Sequence, residues 1–97
     1  MSLQALKPTE IEAALCQLPQ WCYQDQAIQR NYQFDDFKQA FGFISKVAEL
    51  AEQQAHHPDW SNSYNKVQIR LTTHQIGAVS QRDITLAKAI EALYQNN

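Results

Sequence analysis

Glycine is nearly missing from this chain: Gly42 and Gly77 are the only two in 97 residues. A phosphate-cradling loop needs several glycines close together so that backbone N–H groups can reach an anion, and such a loop is therefore excluded. Cysteine is equally sparse. Cys16 and Cys22 form no CxxC pair and lie away from every histidine, which argues against a thiolate metal site or a disulfide framework. Both read as small hydrophobes in a reducing cytosol. Eight Lys and Arg are scattered among ten Asp and Glu, for a formal net charge of −2, so no basic footprint for nucleic acid is present. No apolar run is long enough to cross a bilayer, and the opening MSLQALKPTE lacks the basic start and apolar stretch of a secretory signal. These absences point to a cytoplasmic protein made of one domain, 1–97, with 44% hydrophobic residues and little area to spare for its core.

Periodicity supplies the elements. Ile11, Leu15 and Leu18 share a helical face over Glu10 to Leu18, with Thr9 and Glu12 as a capping box and Pro19 as the stop. Trp21 to Gln24 reads as a short strand. Gln26 to Phe34 reads as a second, with Ile28, Arg30, Tyr32 and Phe34 on one side and Gln29, Asn31 and Gln33 on the other. Arg30 on the apolar side calls for a snorkelling stem or an edge position. Asp35 or Asp36 caps a helix running to about Ala55, whose stripe is Phe37, Phe41, Ile44, Ala48, Ala51 and Ala55, widened by Val47. Ser61 to Tyr64 and Val67 to Thr72 read as strands joined through Asn65 and Lys66. Ser80 and Asp83 open a last helix that buries Ile84, Ala87 and Ile90.

The order is helix, two strands, helix, two strands, helix. The predicted fold is α+β, a single domain with a four-stranded antiparallel sheet and helices packed on one face. Unpaired sheet edges in so small a chain favour a homo-oligomer.

All three histidines lie between positions 56 and 74, in Glu52-x-x-x-His56-His57-Pro58, with His74 further on, then Asp83. Histidine is the side chain that both gives and takes a proton near neutrality, so this concentration points to acid–base chemistry. If the helix persists, Glu52 and His56 share a face and the carboxylate orients that imidazole. Asp83 then accepts from a ligand or holds His74. Singly, each residue has a plainer reading as a helix-end, turn or capping residue. Together they suggest one polar cavity. Zinc fits poorly, since adjacent histidines are awkward ligands for one tetrahedral ion and no His-x-x-x-His pair occurs.

Glu52-x-x-x-His56-His57-Pro58, five residues to Tyr64, nine to His74 and eight to Asp83, resembles the signature of pterin-4a-carbinolamine dehydratases. HHPDWSNSYNKVQIRLTTH and SQRDITLAKAIE carry the likeness, which extends over almost the whole chain. The resemblance implies removal of water from 4a-hydroxytetrahydropterin to give quinonoid dihydropterin, recycling the cofactor of aromatic amino-acid hydroxylases. It implies that His56, His57 and His74 face the pterin, that Glu52 and Asp83 support them, and that Trp60 with the backbone of Ser61, Asn62 and Ser63 borders the substrate. The pterin is then substrate, with no metal or further cofactor, and the partners are a small molecule and other copies of the chain in a homodimer or homotetramer. Two other readings use the same fold: a non-catalytic dimeric regulatory protein, and a pterin-processing role linked to molybdopterin metabolism. Ser61 and Ser63 stand where animal relatives often carry bulkier or apolar residues, and the coactivator role of animal members is not carried over.

Overall fold

A computed structural model describes residues 3–96. Its elements are α1 (Pro8–Leu15), β1 (Cys22–Gln24), β2 (Ala27–Gln33), α2 (Phe37–Gln54), β3 (Asp59–Ser63), β4 (Lys66–Leu71) and α3 (Gln81–Gln95). The four strands form one antiparallel sheet in the order β1-β2-β4-β3. The predicted α-β-β-α-β-β-α domain is therefore the observed one.

Alternation along the strands divides the sheet into two faces. Ile28 pairs with Leu71, Arg30 with Ile69 and Tyr32 with Val67, and all of these except Arg30 are fully buried. On the other face Asn31 pairs with Gln68 and Gln33 with Lys66, and these four are exposed. The helices cover the first face only. Their contribution includes Ile11, Phe43, Val47, Ile84, Leu86 and Ile90, each almost wholly withdrawn from water.

Element boundaries shift from expectation where local hydrogen bonds decide them. Lys7, not Thr9, is the N-cap of α1, because the Glu10 carboxylate accepts from the Lys7 N–H at 2.8 Å while Pro8 takes the first helical position. Asp25 and Gln26 both lie at positive φ, 54° and 64°, as a two-residue hairpin requires, so β2 starts at Ala27. The second hairpin turns at Tyr64 and Asn65 rather than at Asn65 and Lys66, since Ser63 pairs with Lys66. Cys16 and Cys22 are unpaired, as expected, but exposed rather than packed as core hydrophobes.

Helix α2 shows what periodicity alone misjudges. Asp36 caps it, accepting from the Gln39 N–H at 2.9 Å. Its buried ridge is Ala40, Phe43, Ile44, Val47 and Ala51, whereas Phe37 and Phe41 remain about half exposed, at 48% and 55%. The helix carries more apolar side chains than one contact face can bury. Phe43 wins because its ring lies against Tyr32 and Phe34, at 4.8 and 5.1 Å between centroids.

Arg30 is neither snorkelling nor at an edge, since β2 lies inside the sheet. It forms an ion pair with Glu91 of α3, and its guanidinium lies over the rings of Tyr32 and Tyr94 at 4.2 and 5.0 Å. The same Glu91 Oε1 also accepts from Tyr32 Oη at 2.6 Å and Trp21 Nε1 at 2.9 Å. Burial, then the hydrogen bond to Glu91 and its negative charge, hold the Tyr32 hydroxyl well above the usual tyrosine range, with Arg30 opposing.

Candidate active site

The end of α2 determines where the first two histidines go. The helix stops at Gln54, and Ala55 adopts a left-handed conformation at φ 51°, ψ 41°. The His56 N–H then reaches back to Ala51 O at 3.0 Å and the Ala55 N–H to Glu52 O at 3.3 Å. This paired closure is the Schellman arrangement, normally built on glycine. Because the chain reverses here, Glu52 and His56 no longer share a helical face. Glu52 Oε2 lies 2.5 Å from His57 Nε2 instead, which corrects the expected Glu52–His56 pair.

His56 meets Asp83. Their Nε2 and Oδ1 atoms are 2.5 Å apart, with His56 7% exposed and Asp83 fully buried. Asp83 therefore holds His56, not His74, and it does so from the first turn of α3. Its second oxygen, Oδ2, accepts from Thr73 Oγ1 at 2.8 Å and from the Ser80 N–H at 2.9 Å. A buried carboxylate is stable only with its acceptor sites filled, and here both oxygens are engaged.

His74 occupies a short loop between β4 and α3. Thr73 and Ala78 form a bridge at its base, with Thr73 N to Ala78 O at 2.9 Å, and Gly77 takes the positive φ of 61° that closes it. His74 Nε2 lies 3.3 Å from Asp59 Oδ2, with both side chains more than half exposed. Asp59 escaped the sequence reading, as did Thr73. The available signals were their positions: Asp59 follows His57-Pro58 directly, and Thr73 precedes His74. Each of the three histidines thus has its own carboxylate.

The anticipated substrate border divides between the two faces of β3. Trp60 pairs with Ile69 and Asn62 with Val67, on the helix-covered face, with Trp60 41% exposed at the edge. Ser61 and Ser63 point the other way, into a cleft of about 360 Å³ shared with Asn31, Gln68 and Lys66. The side-chain amide of Asn62 is spent on the hairpin turn, donating to Tyr64 O and Lys66 O at 3.1 and 2.9 Å. A second cleft of about 690 Å³ lies beside α2 near Phe34, Lys46 and Tyr94. Neither cleft contains a histidine. Among the described residues β3 pairs with β4 alone, so one backbone edge of Asp59–Ser63 is open. Among the described residues no group of three or more His, Cys, Asp or Glu is arranged to hold a metal ion.

The fold is α-β-β-α-β-β-α, and each of its three imidazoles lies within 3.3 Å of a carboxylate oxygen. The chain belongs to the pterin 4 alpha carbinolamine dehydratase family, whose model matches residues 4–93. It is 50% identical over 95 residues to a protein of Rhizorhabdus wittichii named "Putative pterin-4-alpha-carbinolamine dehydratase", covering 96% of this chain and 98% of that one. A protein of the same name from Synechococcus sp. (strain WH7803) is 48% identical over 88 residues, 91% of this chain and 95% of its own. The crystal structure of a transcriptional coactivator/pterin dehydratase from Brucella melitensis superposes with a TM-score of 0.89 at 39% identity, covering 93% of this chain and 98% of that one.

Proposed function

We propose that this protein is a dehydratase that removes water from 4a-hydroxytetrahydropterin by histidine acid–base catalysis. The observation that carries the reading is the set of three histidine–carboxylate pairs, His56–Asp83, His57–Glu52 and His74–Asp59, in a chain of this family. In the reaction an imidazolium gives its proton to the hydroxyl at C4a. The adjacent ring nitrogen drives in its lone pair, the C4a–O bond breaks and water leaves. The resulting cation loses a proton to a second imidazole, giving quinonoid dihydropterin with no net oxidation or reduction. General acid and base groups of this kind each contribute roughly 10²–10⁴-fold.

His56 and His74 carry the proton transfers in this proposal, and His57 orients the substrate. Support for His56 is its fixed ring. Support for the other two is access, since their side chains are 64% and 67% exposed. Trp60, half-exposed on the edge strand, offers a flat apolar surface to the heterocycle, and the open backbone edge of β3 offers amide groups to its pyrimidinone side. No helix among the described residues is long and apolar enough to cross a membrane, and we place the reaction in the cytoplasm. There it would serve recycling of the pterin used by an aromatic amino-acid hydroxylase, with the pterin as substrate and no bound cofactor. Phe37 and Phe41, exposed side by side on α2, and the open edge of β3 support assembly into a homodimer or homotetramer.

The test is stopped-flow dehydration of enzymatically generated 4a-hydroxytetrahydropterin, measured above its spontaneous rate. The wild-type protein is expected to accelerate water loss, and His57→Ala or His74→Ala to remove most of the acceleration. A folded wild-type protein that adds nothing to the background rate would end this reading. Light scattering checks the assembly, where a monomer at micromolar concentration would contradict it.

A further inference from the structure

The proton position on His56 can be read from hydrogen bonds that begin well away from its ring. A backbone N–H can only donate, and that of Arg82 donates to Ser80 Oγ at 3.2 Å. Ser80 Oγ lies 2.7 Å from Thr73 Oγ1, an interaction in which either hydroxyl can be the donor. The next link removes the choice. Thr73 Oγ1 is also 2.8 Å from Asp83 Oδ2, and an ionised carboxylate only accepts, so the single hydroxyl hydrogen of Thr73 points at Asp83. Ser80 must therefore supply the hydrogen between the two hydroxyls. Oδ2 is completed by the Ser80 N–H at 2.9 Å. Oδ1 remains, and it faces His56 Nε2 at 2.5 Å. That nitrogen has to carry a hydrogen. Neutral His56 is then the Nε2–H tautomer, with the lone pair on Nδ1. In the protonated ring the exchangeable hydrogen is on Nδ1.

Burial makes the arrangement firm. Thr73 and Asp83 are fully buried and Ser80 is 2% exposed, so water does not compete for these donors and acceptors. Thr73 has a second attachment. Its backbone closes the loop that carries His74, through Thr73 N to Ala78 O at 2.9 Å. One residue thus links the carboxylate that holds His56 to the base of the loop that presents His74.

We infer that Thr73, backed by Ser80, is a positioning residue for the proposed dehydration: it orders Asp83 so that His56 keeps a proton on Nε2 and exchanges its catalytic proton through Nδ1. The rate effects rest on the dehydratase reading, whereas the tautomer rests on the hydrogen bonds and on Asp83 being ionised.

The experiment combines long-range ¹H–¹⁵N spectra of the histidine rings with steady-state dehydration kinetics, on the full chain. Wild-type protein is expected to show neutral His56 protonated on Nε2. Thr73→Val, which removes the hydroxyl at constant shape, is expected to give a mixture of tautomers and a kcat lower by roughly 10-fold, with KM within about twofold. Thr73→Ser is expected to restore both. A neutral wild-type His56 protonated on Nδ1 overturns the inference without any variant, so it stays testable if Thr73→Val does not fold. Folded Thr73→Val with wild-type kcat and an unmixed Nε2–H signal overturns it too, as does a lower kcat with no change in tautomer. Absence of wild-type dehydration refutes the functional reading instead and leaves the ring spectra to decide the tautomer.

Discussion

Asp83 Oδ1 and His56 Nε2 lie 2.5 Å apart with Asp83 fully buried and the His56 side chain only 8% exposed, while Glu52 and His57 meet at the same distance in the open. Equal separations do not mean equal energies. In water the attraction is screened and offset by the entropy of two mobile side chains. Inside the protein, losing one partner leaves the facing atom of the other with neither a hydrogen bond nor water.

Asp83→Asn is therefore expected to lower folding stability by about 1.5–3 kcal/mol, the range for a hydrogen bond to a charged group. Glu52→Gln should change it by less than about 0.5 kcal/mol. Urea unfolding at unchanged m-value checks both. Similar losses in the two variants would contradict the distinction drawn from burial.

The histidine substitutions should separate stability from rate along the same line. His56→Ala is expected to cost about 3 kcal/mol because Asp83 is left unpaired in the interior. His57→Ala and His74→Ala should unfold like wild type yet lose roughly 10²-fold in dehydration rate. Wild-type rates in all three variants would remove the imidazoles from the mechanism.

Arg30 and Glu91 allow a double-mutant cycle. Each side chain is 13% exposed, and Arg30 Nε has no partner among the described residues. Arg30→Met or Glu91→Leu alone should destabilise by about 3 kcal/mol, since each strands the remaining charge. The double variant should be more stable than the sum of the single losses predicts, by at least about 1 kcal/mol. Strict additivity of the two losses would show that the pair is not energetically coupled.

Tyr32 predicts a response to alkali. In the unfolded chain its phenol ionises near about pH 10, whereas in the folded protein it does so well above that. Below about pH 10 both states keep the proton and this residue contributes no pH dependence. Above it the unfolded chain loses the proton first, so stability falls as pH rises, by up to about 1.4 kcal/mol per pH unit from this one group. Tyr32→Phe should be weaker at neutral pH for want of its hydrogen bond, but its stability should decline less steeply in alkali. Parallel declines in the two proteins would refute the assignment.

Ala55 offers a stabilising change. A non-glycine residue at φ 51° costs roughly 1 kcal/mol. Ala55→Gly should raise stability by roughly 0.5–1 kcal/mol and the melting temperature by a few degrees. A lower melting temperature would show that the alanine methyl group packs more favourably than its backbone strain costs.

Much of this fold was legible residue by residue. Strict alternation in Ile28 to Phe34 and Val67 to Leu71 assigns each side chain to a sheet face, because a strand has period two and one face must be dry. Ser80 and Asp83 marked the start of α3 because a cap needs an acceptor at that spacing, and the capping box is present. The histidine cluster was equally visible, since its signature is a matter of spacing along the chain.

What the chain's order of residues determined by itself was local: which segments are helix or strand, which strand positions face inward, and which seven residues make the family's signature. Tertiary structure alone decided the pairings. Whether Phe41 or Phe43 is buried depends on which ridge of α2 meets Tyr32 and Phe34. Whether Arg30 is tolerated inside depends on Glu91, far along the chain on α3. Whether His56 meets Glu52 or Asp83 depends on one left-handed residue, Ala55, that reverses the chain. Periodicity describes a segment's faces, but only contact between distant segments assigns each polar group its partner.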